Sequence, residues 1–403
     1  MKILFLNDFI PPRHIGGPGK RNFELALEFN RLGHEVYFIT SCQGRSFTGE
    51  ETKDGIKVFN IYSKYPSQLR DYLSIFNPFI IRKLEKIVKK ISPDVVHADI
   101  IHTHISYASL KIAKKYSKAV FLTSRDFMLF NYGKFLQKER KCGEIKYKIG
   151  WRDNFSKAGF KYNPFRNFFI KRYLKYVDKI FTVSNELTKA LNQNGILNTQ
   201  TIHNGLPFIE NKDTEESNKD LRPKTVLFAG RVSLEKGSRA LVDSFVLVKK
   251  KIADAKLIMI GVSKEGEKSI LNYAKKIGVD DIEILPWINE EKIREFFKSS
   301  SVIVSPSLYP DPFPGVNLEA AFYKKPVVTT CFGGAKEFIL DGQTGYVVNP
   351  YNKEELANRI AELLIDEQKA KIFGEKSFSR LRNDFSVQKQ AEKILIWYKK
   401  FID

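Results

Sequence analysis

The chain has 403 residues, 43% of them hydrophobic and 28% charged, with 67 Lys and Arg against 46 Asp and Glu for a formal net charge of +21. That length holds about two or three domains with cores of their own, and the composition is a soluble globular profile. The charge points to anionic partners, and three cysteines without a Cys-x-x-Cys pair give neither a zinc site nor a disulfide framework, so a reducing cytoplasm is expected.

Lys2 to Asn7 reads as a buried strand, broken by Asp8 too soon to be a signal peptide. No later run is long and apolar enough to span a bilayer. A loop, Pro11-Pro12-Arg13-His14-Ile15-Gly16-Gly17, leads to a helix from Asn22 to Leu32, with Phe23, Leu25, Ala26, Leu27 and Phe29 at helical spacing. Gly33 closes that helix, and Val36 to Thr40 is the next strand, so a right-handed parallel sheet begins here. Strands follow at Pro93 to Ala98, Ala119 to Thr123 and Ile180 to Ser184. The second of these ends in Ser124-Arg125-Asp126, a permanent cation beside an acid, suited to a phosphate or to a simple strand-end ion pair. His97, His102 and His104 lack the acid-rich spacing of a metal site and read as structural.

Asn211 to Arg222 is a polar, charge-rich linker, after which the alternation restarts. Thr225 to Gly230 is a strand, and Arg231-Val232-Ser233-Leu234-Glu235-Lys236-Gly237 leads into a helix ending near Lys251. A basic loop between strand and helix places anions on the helix start. Strand Lys256 to Ile260 ends at Gly261, and Ile282 to Leu285 ends at Pro286-Trp287-Ile288, where an indole can stack on a base. The next apolar run, Ser301 to Val304, precedes the stretch around which the second half is organised. Ser305-Pro306-Ser307-Leu308-Tyr309-Pro310-Asp311-Pro312-Phe313-Pro314-Gly315-Val316 is a Pro- and Gly-rich turn that opens a helix over Val316 to Tyr323. In an open α/β sheet, ligands bind at such a place. Asp311 and Glu319 bracket it with seven residues between them, and Glu319 lies about one turn inside the helix.

This spacing, with Phe313-Pro314-Gly315-Val316 inside it, resembles the donor-site motif of the retaining nucleotide-sugar glycosyltransferases of family 4, which have the GT-B fold. Gly333-Gly334-Ala335-Lys336-Glu337 and Asp341-Gly342-Gln343-Thr344-Gly345-Tyr346 are similar to the family's next two signatures, and Arg231 with Lys236-Gly237 to its Gly-Arg…Lys-Gly signature. Two positions depart from it: Asp311 stands where the first acid is usually Glu, and Arg125-Asp126 where a His-Asp pair is common. The resemblance implies an α/β chain of two Rossmann-like, doubly wound domains facing across a cleft. Residues 1–207 would bind the acceptor and 208–385 the donor, with a C-terminal helix, 386–403, crossing back onto the first domain.

As catalytic residues the resemblance implies Asp311, Glu319, Arg125 and Asp126. On the donor it implies Arg231, Lys236, Phe313, Pro314, Gly315, Val316, Glu319, Gly261, Trp287 and Ile288. Gly16, Gly17 and Asp8 would form the acceptor and phosphate loop. The activity implied is a hexosyltransferase that takes sugar from a UDP- or GDP-sugar to a hydroxyl; the acceptor expected is a lipid-linked glycan or polysaccharide precursor. No cofactor is expected, since no Asp-x-Asp motif is there to hold a metal. A nucleotide-sugar epimerase of the same fold is the alternative enzyme. Charge alone suggests a nucleic-acid-binding protein, but no such motif accompanies it and no nucleic acid is expected.

From 127 to 176, thirteen Lys and Arg stand against three Asp and Glu, among fourteen aromatic residues. Basic and aromatic together are the composition of a surface-bound helix. Phe165, Phe169, Tyr173 and Tyr176 are expected on one helical face, with Arg166 and Lys175 turned away. The segment is expected to seat the protein on an anionic membrane surface at the cytoplasmic side, or else to pack its rings into the first domain's core.

Overall fold

The computed structural model describes residues 1–11, 17–133, 141–208 and 224–402. Gly16 and the linker expected at 211–222 lie outside them. The chain forms two compact units, one of Met1–Lys134, Lys146–Pro207 and Val387–Asp403, the other of Phe135–Ile145 and Phe208–Ser386.

Among its described residues the first unit is built on eight strands: β1 (Lys2–Leu6), β2 (Glu35–Cys42), β3 (Gly49–Lys53), β4 (Ile56–Tyr62), β5 (Val95–Ala98), β6 (Ala119–Ser124), β7 (Lys179–Thr182) and β8 (Thr199–Thr201). They stand in the order β3-β4-β2-β1-β5-β6-β7-β8, parallel except for β3, an antiparallel edge strand. Ile3, Leu4, Phe5 and Leu6 are all fully buried. A strand covered on both faces needs no polar alternation, which is why β1 is a continuous apolar run. The helix Gly17–Arg31 begins earlier than the apolar spacing from Asn22 indicates, because its first turn, Gly17-Pro18-Gly19, carries no apolar stripe and tolerates proline. Gly33 follows it at a φ of +81°, the left-handed position that ends a helix.

Among its described residues the second unit has six strands, β9 (Thr225–Ala229), β10 (Lys256–Ile260), β11 (Ile282–Leu285), β12 (Val302–Ser305), β13 (Val327–Thr330) and β14 (Gly345–Val348). All are parallel, in the order β11-β10-β9-β12-β13-β14. The chain therefore winds outward from β9 in one direction and from β12 in the other. Helix Ser238–Lys251 buries Leu241, Val242, Phe245 and Val248, and helix Lys353–Ile365 buries Leu356, Ala357, Ile360 and Leu364 in the same core. Each large side chain so buried contributes about 1.5–3 kcal/mol.

The C-terminal helix, Val387–Ile402, belongs to the first unit, where Val387, Ala391, Ile394 and Tyr398 enter the core on one face. The Tyr398 ring lies 4.8 Å from Phe121 and 5.6 Å from Phe29. Its hydroxyl bonds His97 Nδ1, and His97 Nε2 lies 2.7 Å from Thr123 Oγ1. Both ring nitrogens are thus used inside the fold, as the structural reading of His97 expects. One expectation is corrected here: Cys142 and Cys331 form a disulfide with Cα atoms 5.7 Å apart. The pairing is set by tertiary proximity across 189 residues, which cysteine spacing does not report.

Burial, with Arg125 nearby, pushes the His97 imidazole down from its ordinary 6.5 to about 3. Its neutral form is part of the fold, so its contribution is complete above pH 6.5 and lost as the pH falls toward 3. Tyr398→Phe should leave Nδ1 buried without its partner, at a cost of about 1–3 kcal/mol in urea unfolding at pH 7. An unchanged midpoint would show that the hydroxyl does not hold the helix.

Candidate functional site

In each sheet the strand order reverses beside the first strand, and there the connections leave in opposite directions. That is the place where open α/β sheets admit ligands. In the second unit it lies between β9 and β12. The β9 connection runs from Gly230 to Gly237, whose backbone is left-handed at a φ of +78°. A Cβ on Gly237 would stand 1.9 Å from the Pro306 carbonyl oxygen, so only glycine lets the two connections touch. Leu308 N–H donates to Glu235 O at 2.8 Å and completes the seam.

Close approach aims Lys236 across the reversal. Its Nζ binds Asp311 Oδ2, which also accepts the Tyr309 hydroxyl at 3.0 Å. Burial alone would pull the Lys236 ammonium down, but Asp311 and Tyr309 hold it well above its usual value. Asp311 is buried, and its carbonyl accepts Gly334 N–H at 2.8 Å. Gly333, at a φ of +71°, passes so close that a Cβ would meet Asp311 O at 2.2 Å.

Behind this pair runs the helix Gly315–Phe322. Asn317 anchors its first turn, accepting from Ser305 Oγ at 2.8 Å and donating to Thr329 Oγ1 at 3.3 Å. Leu318, Ala320 and Ala321 are buried, whereas Gly315, Val316 and Glu319 form the accessible strip. That strip joins the free N–H groups of a helix start to a carboxylate one turn on. Phe313 does not face outward: it is buried and stacked on Phe385 at 6.0 Å. Arg231 is exposed, and Trp287 is 45% exposed beside Gly261, where a Cβ would lie 3.3 Å from the indole and 2.3 Å from Gly230 O. Ile288 is half-buried. No local pattern singles out Tyr309, Asn317 or Thr329, whose places here depend on side-chain contacts made in the fold.

In the first unit the reversal lies between β1 and β5, and there Asp8 differs from expectation. It is fully buried, and its carboxylate accepts the N–H groups of Thr103, His104 and Ile105 at 2.6, 2.8 and 2.6 Å. It ties the β1 end to the β5 connection and is not presented to a ligand. Gly17 is the first residue of its helix.

Arg125 is also held inside. Its Nε donates to Asp99 Oδ2 at 2.7 Å, its Nη1 to Asn204 Oδ1, and its side chain is only 4% exposed. The ion pair is therefore with Asp99, not with the adjacent Asp126. Asp99, His102, Ser124, Arg125 and Asp126 line one pocket, in which Arg125 Nη2 and Asp99 Oδ1 are buried without a hydrogen-bond partner among the described residues. A donor and an acceptor left open together suit a hydroxyl-bearing ligand. His102 Nε2 lies 3.6 Å from Asp126 Oδ2. A His and an Asp thus meet here from two different strand ends, and His102, expected to be structural, is a pocket residue. Separation in sequence hid the pair.

Residues 15–208 match the model of Glycosyltransferase Family 4, and residues 209–380 that of Glycosyl transferases group 1. An uncharacterised glycosyltransferase of Methanocaldococcus jannaschii is 27% identical over 387 residues, 91% of this chain and 90% of that one. A capsular polysaccharide biosynthesis glycosyltransferase, CapM, of Staphylococcus aureus is 28% identical over 207 residues, 49% of this chain and 53% of the relative. The matches to CapM, to a spore coat protein and to a lipopolysaccharide N-acetylglucosaminetransferase each span about half the relative's length. Among solved structures, sucrose-phosphate synthase of Thermosynechococcus elongatus aligns with a TM-score of 0.75 at 17% identity, over 99% of this chain and 98% of that one. Anabaena HepE in complex with UDP and glucose aligns at 0.70 and 16% identity, over 99% of this chain and 100% of that one. These likenesses establish the GT-B fold.

The Asp8 geometry generates its own test. Asp8→Ala leaves three N–H groups buried without their acceptor, each worth about 1–3 kcal/mol. The urea midpoint should drop by the equivalent of at least about 2 kcal/mol, with an unchanged slope. Burial raises the Asp8 carboxyl from 3.8 to about 6 despite those N–H groups. Its contribution is therefore greatest below pH 3.8 and declines as the pH rises through 6. The stability difference between wild type and Asp8→Asn should shrink over that window; a constant difference would refute the assignment.

Proposed function

Because the chain belongs to the family 4, group 1 glycosyltransferases, we propose that it transfers a hexose-type sugar from a UDP- or GDP-sugar to a hydroxyl, with retention at the anomeric carbon. The observation that carries this reading is the accessible strip of Gly315, Val316 and Glu319 that follows β12, with Lys236 of the β9 connection bound to Asp311 of the β12 connection, at the point where the second sheet reverses. We assign the Gly315 and Val316 N–H groups, Lys236 and Arg231 to the donor diphosphate. Their charge-assisted bonds strengthen as the leaving group gains negative charge. Glu319 accepts from the ribose hydroxyls, Asp311 from the sugar, and Trp287 with Ile288 flanks the base. Gly261 keeps the backbone low beneath the indole. Phe313 and Pro314 shape the turn from behind.

In the step itself the bond from the anomeric carbon to the phosphate oxygen breaks with its electron pair leaving on the diphosphate. The acceptor oxygen bonds the same carbon from the same face, and its proton passes to the departing phosphate oxygen. The state between is oxocarbenium-like and requires no protein nucleophile, unlike the two-carboxylate glycosidase route. The pocket of His102, Arg125 and Asp126 is assigned to sugar or acceptor hydroxyls. The acceptor is read as a lipid-linked glycan or polysaccharide precursor at the cytoplasmic side of a membrane, a reading supported by the similarity to CapM, a capsular polysaccharide biosynthesis glycosyltransferase.

Mass spectrometry of the protein with a panel of nucleotide sugars and candidate acceptors tests the reaction, and NMR of the product tests retention. An α-linked product from an α-linked donor is expected, with activity persisting in excess EDTA. An inverted product, or activity lost in EDTA and restored by manganese, would contradict the reading. Glu319→Ala should weaken nucleoside diphosphate binding by about 2 kcal/mol, roughly thirtyfold, and Lys236→Ala by less, because Asp311 already holds its ammonium. Calorimetry showing both variants at wild-type affinity would remove the site.

A further inference from the structure

Six large rings between 151 and 169 stand in solvent: Trp151, Phe155, Phe160, Phe165, Phe168 and Phe169, from 39% exposed at Phe169 to fully exposed at Phe160. Contiguous exposed apolar surface marks a place of interaction. These rings are not on loose chain. Helices Trp151–Ala158 and Arg166–Leu174 hang from one carbonyl, that of Phe130, which accepts Asn154 Nδ2 at 3.3 Å and Asn167 Nδ2 at 2.8 Å. Arg166 is fully buried, donates to Met128 O at 2.6 Å, and lies 4.9 Å over the Tyr132 ring.

Arg166 and Ile170 therefore fix the inner face of the second helix, and Phe165, Phe168, Phe169 and Arg172 share the outer one. This corrects the expected face: Tyr173 and Tyr176 are half-buried, and Arg166 is an anchor, not a surface charge. Around the rings Lys148, Arg152, Lys157, Lys161, Lys171, Arg172 and Lys175 are exposed, and from 146 to 176 the sequence holds one acid, Asp153, which accepts Gly150 N–H at 2.8 Å.

We propose that this surface seats the protein on an anionic membrane leaflet, with the rings in the boundary between headgroups and acyl chains and the Lys and Arg side chains on lipid phosphates. Outward rings interleaved with cations satisfy both demands of such a boundary. Single-stranded nucleic acid asks instead for a groove that tracks its backbone. The inference deepens the acceptor reading and rests on it for what the surface brings near, a lipid-linked substrate. Vesicle binding needs no nucleotide sugar, so each can fail without the other.

Co-sedimentation with phosphatidylcholine vesicles containing roughly a third phosphatidylglycerol tests it. Binding should be at least about tenfold weaker to pure phosphatidylcholine and in about 1 M salt. The triple variants Trp151→Ser/Phe155→Ser/Phe160→Ser and Lys171→Ser/Arg172→Ser/Lys175→Ser should each lose about tenfold in affinity. Glu319→Ala should bind vesicles as wild type does. Independently of those variants, brominated lipid should quench an emission component that Trp151→Phe lacks. No binding at low salt, equal binding to neutral vesicles, unchanged binding by the aromatic variant, no quenching, or displacement from vesicles by an equimolar single-stranded oligonucleotide would each overturn the proposal.

Discussion

The structure depends on how each sheet closes the gap where its winding reverses. Two connections leave neighbouring strands in opposite directions at that point, and nothing in the strand ladder holds them together. In both units a carboxylate does so. Asp8 gathers three N–H groups of the β5 connection, and Asp311 takes Lys236 from the β9 connection with Tyr309 from its own. The two ties differ in what remains. Asp8 is fully enclosed, whereas the Lys236 side chain is 28% exposed. The first tie is structural. The second leaves an electrostatic edge on which a ligand can act.

That difference bears on how an anion would bind. Lys236 already faces an acid, so a diphosphate arriving there competes with Asp311 and does not meet an unpaired cation. The gain from such an exchange is small compared with that from a fresh pair, because the ammonium gives up one anion to take another. The additional attraction must come from the start of the Gly315–Phe322 helix and from exposed Arg231. Gly237 and Gly333 make this arrangement possible, since a side chain at either would force the connections apart. The glycines of the motif are therefore spacers for a charged pair more than flexible hinges.

The parallel strands and the accessible strip of Gly315, Val316 and Glu319 were legible in the sequence because each is local: apolar runs, a basic loop before a helix, an acid one turn past Gly315. What escaped it depends on contacts between distant residues. Arg125 was seen beside Asp126 but binds Asp99 and Asn204, 26 and 79 residues away. His102 meets Asp126 only because β5 and β6 lie side by side. Arg166 carries the same charge in sequence as Lys171 or Arg172, and only packing against Tyr132 and the Met128 carbonyl separates an anchor from a surface charge. The Cys142–Cys331 bond, across 189 residues, is another such case. Burial of charge is a tertiary property, and composition counts it in the wrong place.

A crystal structure with a nucleoside diphosphate bound tests the central claim, that the reversal point of the second sheet is the donor site, most directly. A phosphate is expected within hydrogen-bond distance of the Gly315 and Val316 N–H groups, with Lys236 turned at least partly from Asp311 onto it and the base beside Trp287. A diphosphate seated away from that helix start, with the Lys236–Asp311 pair undisturbed, would contradict it.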